Sequence, residues 1–287
     1  MSLEASPARL IHEQRVTRAD SKIAVDLLSQ RAGLSKGRVK DAMNKGAVWI
    51  TRRGEKGQRR LRRATTTLRS GDLLRLCYDE KILAAEPLEP RLIDDQGGYS
   101  VWDKPAGLMS QGSDFGDHCA LLRLVERWVK PGRQALLVHR LDREARGLVL
   151  IAHGRVTAAA LSRLLQQRAL EKRYRVQVRG ELSRRAGERG EIERALDGKA
   201  ARTRYQVCAY DPERDVSTVD VEMESGRRHQ IRRHLDAIGF PVMGDPRYGR
   251  GNKNRDGLRL VASGLAFTCP LRGRAVRYSL TEEELGF

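Results

Sequence analysis

The chain has 287 residues, 40% hydrophobic and 32% charged, so it can bury a core and is not globally disordered. Lys and Arg total 55 against 37 Asp and Glu, a net charge of +18, which favours a polyanionic partner over a small metabolite. No apolar run approaches the ~18 residues of a membrane span, Met1 to Arg18 lacks the apolar centre of a signal peptide, and Cys77, Cys119, Cys208 and Cys269 form no CxxC pair for a zinc ribbon.

The charge is uneven. Residues 1–80 hold 18 basic and 9 acidic side chains, half of the excess on just over a quarter of the chain. Residues 15–80 read as a small basic module. Ile23, Ala24, Leu27 and Leu28 form a helical stripe within Ala19–Gln30, and Gly33 ends it. Ser35 can cap a second helix over Lys36–Lys45, stopped by Gly46. Val48-Trp49-Ile50 is a short strand, Arg52–Arg63 a loop with seven basic residues in twelve, and Leu73–Tyr78 a closing strand after the Gly71-Asp72 turn. This order resembles the RNA-binding module of ribosomal small-subunit protein four. The resemblance makes Arg38, Lys45, Arg52 and Arg53 RNA-contact candidates. The bland alternative is a charged helix hairpin that only docks.

Residues 81–98, with Pro87, Pro90 and Gly97-Gly98, read as a linker. The remainder, 99–287, alternates strands and helices. Strands are expected at Tyr99–Trp102, Leu148–Ala152, Tyr174–Val178, Thr203–Ala209 and Ser217–Met223. Helices are expected at Ala120–Trp128, Val156–Arg168 and Gln230–Ile238. The fold class is therefore α+β: a small N-terminal module, then a domain with a mixed, largely antiparallel sheet flanked by helices and loops.

Two segments carry chemistry. In His139-Arg140-Leu141-Asp142, the carboxylate precedes a buried-type strand and lies among Arg140, Arg143 and Arg146. Neighbouring cations favour its ionised form, and an ionised carboxylate there can act as nucleophile or base. A lone Asp at such a place is more often a structural ion-pair partner. In Gly226-Arg227-Arg228-His229-Gln230-Ile231-Arg232, Ile231, Leu235 and Ile238 mark a core stripe. Arg228 and Arg232, four apart, are expected on one helical face, where forked guanidiniums can hold a carboxylate and a phosphate. The five-residue spacing of His229 and His234, with no companion carboxylate, argues against a metal site.

Together the segments are more specific than either alone. Lys104-Pro105-Ala106-Gly107-Leu108, His139-Arg140-Leu141-Asp142 with Gly147, Lys172-Arg173-Tyr174, Gly226-Arg227 with His229-Gln230-Ile231-Arg232, and Gly244-Asp245 with Tyr248-Gly249 occur in that order. The ordered set, over about residues 95–280, resembles the RluA-type RNA pseudouridine synthases. The resemblance implies a pseudouridine synthase fold. It implies Asp142 as the catalytic carboxylate, Tyr174 as the residue packed on the target base, and Arg232 as the partner of the carboxylate. It implies Arg140 as the residue that fills the gap left by a flipped base. Lys104, Arg227, Arg228, His229 and Gln230 become further RNA-contact candidates. Isomerising uridine to pseudouridine oxidises nothing, so no cofactor and no metal are expected. The target base must leave its stack.

Three stretches depart from the family pattern. Ala145-Arg146-Gly147 stands for its Thr-Ser-Gly, Arg228 for the Thr of Gly-Arg-Thr-His, and Val261-Ala262-Ser263 for a Leu-His-Ala. None removes the carboxylate. Two readings follow: an isomerase acting on structured RNA (large-subunit ribosomal RNA favoured, transfer RNA second), and a non-catalytic RNA-binding or ribosome-assembly factor on the same scaffold. Both place a monomer in the cytoplasm, away from membranes.

Overall fold

The computed structural model describes residues 8–130 and 133–287; the first seven residues of the polar N-terminal stretch lie outside them. The chain divides into two compact units, one holding residues up to Pro87 with Gln111–Arg127, the other Leu88–Ser110 with Trp128–Phe287.

The first unit contains β1 (Arg9–Arg15), α1 (Ala24–Ala32), α2 (Lys36–Asn44), β2 (Val48–Thr51), β3 (Arg59–Arg60), β4 (Leu73–Asp79) and α3 (Glu80–Ala84). Its four strands form an antiparallel sheet in the order β1-β4-β2-β3. The helix signals act as expected. Gly33 closes α1 in the left-handed region, and the Ser35 side chain accepts the Arg38 N–H at the start of α2. Leu27, Leu28, Val39 and Met43 meet Val48, Ile50, Leu74 and Leu76 in one core. β1 begins before residue 15 and was not anticipated. It is an edge strand with alternating half-exposed residues, and Arg-Leu-Ile-His-Glu-Gln-Arg offers little apolar alternation to find it by. The segment 111–127 carries most of α4 (Leu121–Trp128). It is tied to the unit by Asp117, which pairs with Arg60 and Arg62, and by the Trp49 indole N–H, which donates to the Asp114 carbonyl at 3.0 Å.

The second unit is built on one ten-stranded sheet. Its elements are β5 (Arg91–Asp95), β6 (Tyr99–Lys104), β7 (Leu136–Leu137), β8 (Arg146–Ala152), α5 (Arg155–Gln166), β9 (Leu170–Arg179), α6 (Leu182–Ala186) and β10 (Arg189–Glu193). β11 (Arg202–Asp211), β12 (Val216–Met223), α7 (Gln230–Ala237), β13 (Leu260–Thr268), β14 (Ala275–Ser279) and α8 (Glu282–Leu285) follow. The order β10-β11-β12-β9-β13-β8-β6-β5 is antiparallel except at β8–β13, with β14 on β13 and β7 on β8. The mixed, largely antiparallel sheet of an α+β fold is thus present. Residues 81–98 contain ordered elements as well as turns. Asp79 caps α3 by accepting the Ile82 N–H, and β5 pairs with β6. The prolines and acidic residues there hid a strand whose only apolar residues are Leu92 and Ile93.

The parallel β8–β13 contact needs a residue without Cβ. Gly147 has φ 116°, and a Cβ there would lie 2.4 Å from the carbonyl oxygen and 2.6 Å from the nitrogen of Ala262. Both are backbone atoms that cannot rotate away. Gly147→Ala is expected to destabilise the protein by at least about 1–3 kcal/mol, read as a lower urea midpoint; an unchanged midpoint would show that the strands separate freely. No helix among the described residues is long and apolar enough to cross a membrane.

Candidate active site

Asp142 sits in the loop that leads into β8. The backbone of its two chain neighbours, Leu141 and Arg143, is held. Ser110 Oγ accepts the Leu141 N–H at 2.9 Å and donates to the Leu141 carbonyl at 2.8 Å. On the other side, Lys104 at the end of β6 donates to the carbonyls of Pro105, Leu108 and Arg143, at 3.0, 2.7 and 3.3 Å. The Gly107 N–H also reaches the Arg143 carbonyl at 2.7 Å. The Lys-Pro-Ala-Gly-Leu turn therefore buttresses the chain beside Asp142. Lys104 is fully buried. Burial pushes its ammonium down to about 7, against the pull of Asp142, Glu144 and Asp103. The expected RNA contact by Lys104 is corrected here: three carbonyl acceptors under the loop occupy its donors, and no surface is left for a ligand.

α7 delivers Arg232 to the same place. Arg232 is 2% exposed. Its Nε and Nη2 donate to the two carboxylate oxygens of buried Asp245, each at 2.7 Å, and its Nη1 donates to Asp142 Oδ2 at 3.0 Å. Glu144 Oε2 stands 3.6 Å from the same Nη1. Burial opposes the charge on Arg232, but Asp245 and Asp142 outweigh it and raise its pKa. One guanidinium thus uses its fork on a buried carboxylate, which fixes its plane, and its remaining edge on a carboxylate that is 22% exposed. Asp245 in turn accepts the backbone N–H groups of Arg247 and Tyr248. Sequence reasoning assigned no task to Asp245 or Ser110; the Gly244-Asp245 pair in the ordered motif set was the available signal.

A cavity of about 480 Å³ opens beside this pair, within the size range of small-ligand pockets. Arg140, Asp142, Lys172, Tyr174, Arg228 and Arg232 are among its lining residues. Tyr174 projects from β9 and is buried. Burial, with Asp142 adding to it, raises its phenol, so the hydroxyl keeps its proton. Arg140, Arg227 and Arg228 are exposed at the rim.

Three expectations change. Arg228 and Arg232 do not share a helical face. α7 starts at Gln230, and His229 before it adopts the left-handed conformation, φ 53° and ψ 32°, so Arg228 lies outside the helix. His229 turns inward, with Nδ1 3.0 Å from the Tyr248 hydroxyl and Nε2 3.7 Å from Asp142 Oδ1. Gln230 is buried. It donates to the Arg202 carbonyl and Thr203 Oγ1, and accepts from Ser225 Oγ and the Arg227 N–H. All its polar capacity goes to the fold, which corrects the expected RNA contact. His234 is likewise internal, against Thr203 Oγ1 and the Arg194 carbonyl. Among the described residues no group of three or more His, Cys, Asp and Glu has metal-binding geometry.

In the first unit, Arg38 pairs with Glu80, and Lys45 with Asp41 and the Leu83 carbonyl. Arg52 pairs at 2.6 Å with buried Asp72, a structural contact. Arg53 is exposed with no ion pair among the described residues, as are Lys56, Arg59 and Arg63. The departure at Arg146 is also explained: its Nη2 donates to Asp103 Oδ2 at 3.2 Å, so this guanidinium is neutralised on β6.

A family model described as RNA pseudouridylate synthase matches residues 98–237. The dual-specificity RNA pseudouridine synthase RluA of Vibrio parahaemolyticus serotype O3:K6 is 31% identical over 190 residues, 58% of this chain and 73% of that protein. The ribosomal large subunit pseudouridine synthase D of Nitrosomonas europaea is 32% identical over 179 residues, 58% of this chain and 52% of that protein. The solved structure of human RNA pseudouridylate synthase domain containing 1 has a TM-score of 0.55 at 23% identity, covering 69% of this chain and 86% of its own. That likeness shows the fold.

Proposed function

Because the chain belongs to the RNA pseudouridine synthase family, we propose that it isomerises uridine to pseudouridine within structured RNA, with Asp142 as the catalytic group. The observation that carries this reading is the 3.0 Å contact of Arg232 with Asp142 at the edge of a cavity walled by Tyr174. In the reaction the C1′–N1 bond breaks and a C1′–C5 bond forms on the same ring. C5 loses a proton and N1 gains one, so no oxidant or reductant is required. Asp142 can add to the sugar or remove the proton that lets the base leave, and either route needs an ionised carboxylate held still. Arg232 supplies the hold. Tyr174 offers its face to the extruded base, and Arg140 enters the space that base leaves.

The substrate favoured is large-subunit ribosomal RNA, in keeping with the name of the Nitrosomonas relative; transfer RNA is the second candidate. The protein works as a cytoplasmic monomer, and the N-terminal unit is an RNA-binding arm like that of ribosomal small-subunit protein four. Incubation of the purified protein with bulk ribosomal and transfer RNA tests the activity: new pseudouridine in one pool is expected, and none in either would overturn it. A non-catalytic binding factor would retain RNA without forming product.

The arm is tested by salt. Arg53, Lys56, Arg59 and Arg63 are exposed and carry no ion pair among the described residues. Replacing all four by Gln is expected to flatten the log–log salt dependence of RNA binding by about 3, at roughly 0.7–0.9 per phosphate contact. An unchanged slope would remove this loop from the interface.

A further inference from the structure

Lys172 and Tyr174 stand two apart on β9 and so share one face of the sheet. Both line the cavity. Lys172 is half-buried, and burial pulls its ammonium below the ordinary lysine value. Unlike Lys104, it has no hydrogen-bond or ion-pair partner among the described residues. His139 lines the same cavity, and the charge of Lys172 bears on it. The Leu150 N–H donates to His139 Nε2 at 3.1 Å, which places the proton of the neutral ring on Nδ1. Burial, with Lys172 beside it, holds this imidazole down at about 3, so it stays neutral. The Nδ1 atom is buried and without a partner among the described residues. A buried donor left unmade is destabilising, and a half-buried ammonium without a partner adds to that cost. Two such donors at one cavity describe a place that an acceptor fills.

We propose that Lys172, with the Nδ1–H of His139 beside it, is the electrophilic group for the departing base, donating to the carbonyl oxygens of the uracil. The inference rests on the isomerase reading above. As C1′–N1 breaks, the electron pair stays on the ring and spreads from N1 to O2, C5 and O4. A fixed cation at a carbonyl oxygen stabilises that charge more than it stabilises neutral uridine, which is the condition for lowering the barrier. C5 then attacks C1′, C5 loses its proton and N1 gains one; Lys172 keeps its protons throughout. The exposed Arg227 and Arg228 at the rim are placed for phosphates. Lys172, inside and on the face of Tyr174, is placed for the base.

The test uses the full-length protein, Lys172→Met and Lys172→Arg, with RNA containing uridine or 5-fluorouridine. Single-turnover consumption of the base is followed at saturating RNA, and Kd is measured separately. Lys172→Met is expected to slow uridine consumption about 10²-fold, with Kd within about twofold, and Lys172→Arg to recover part of the rate. Fluorine withdraws charge from the departing ring, so the deficit of Lys172→Met should shrink with 5-fluorouridine. Equal deficits on both bases, or a weaker Kd with an unchanged saturated rate in either variant, would overturn the inference. Wild-type protein that forms no pseudouridine from uridine would overturn the isomerase reading instead.

Discussion

Asp142→Asn is expected to slow single-turnover pseudouridine formation by about 10³-fold or more, with RNA affinity changed by less than about threefold. The amide has nearly the shape of the carboxylate and leaves an oxygen for Arg232 Nη1. It can neither attack the sugar nor accept a proton as a carboxylate does. The fold should survive, because Nε and Nη2 of Arg232 remain on Asp245; the stability lost is limited to about 1–3 kcal/mol for one charged hydrogen bond. Quantifying pseudouridine after a timed incubation, with a filter-binding isotherm on the same RNA, checks both halves. Full activity in the variant would end the assignment of Asp142.

Asp245→Ala carries the largest expected effect on stability. Asp245 is fully buried, accepts two hydrogen bonds from an Arg that is itself 2% exposed, and caps the backbone of Arg247 and Tyr248. Removing one member of a buried pair leaves the other charge uncompensated, at a cost of about 3–5 kcal/mol. Urea unfolding should show that loss, and activity should fall with it because nothing then fixes the plane of Arg232. The pH dependence has a definite sign. Burial alone would raise the Asp245 carboxyl, but the hydrogen bonds from Arg232 and from the Arg247 and Tyr248 backbone outweigh it and hold it below 3.8. As pH falls, the unfolded chain takes up this proton first. The stability Asp245 confers is therefore complete above about pH 4 and is lost as pH drops through the lower folded-state value. Asp245→Ala should flatten the acid limb of the stability curve; an acid limb identical to wild type would show that Asp245 contributes nothing there.

Much of the architecture was legible where local chemistry decides it. Gly33 and Ser35 set the boundaries of the first two helices, period-two alternation marked β9, and paired strands around the Asp211–Asp215 turn became β11 and β12. β1, β5 and β14 escaped because edge or half-buried strands carry weak alternation, and β13 because its mostly buried run shows no period-two pattern. The same limit applies to the site. A helical wheel put Arg228 beside Arg232, yet one left-handed residue, His229, separated them.

The order and identity of the motifs were enough to propose Asp142, Arg232 and Tyr174, since each chemistry restricts the residue types that can perform it. Burial was not readable there. Lys104 and Gln230 have the same donors whether they face RNA or the interior, and only the folded chain shows every one of those donors spent on backbone and side-chain acceptors. Lys172, a cavity-lining cation without an acceptor among the described residues, could likewise be identified only once its neighbours were in place, because a partner's absence is a property of three-dimensional surroundings and not of a residue type.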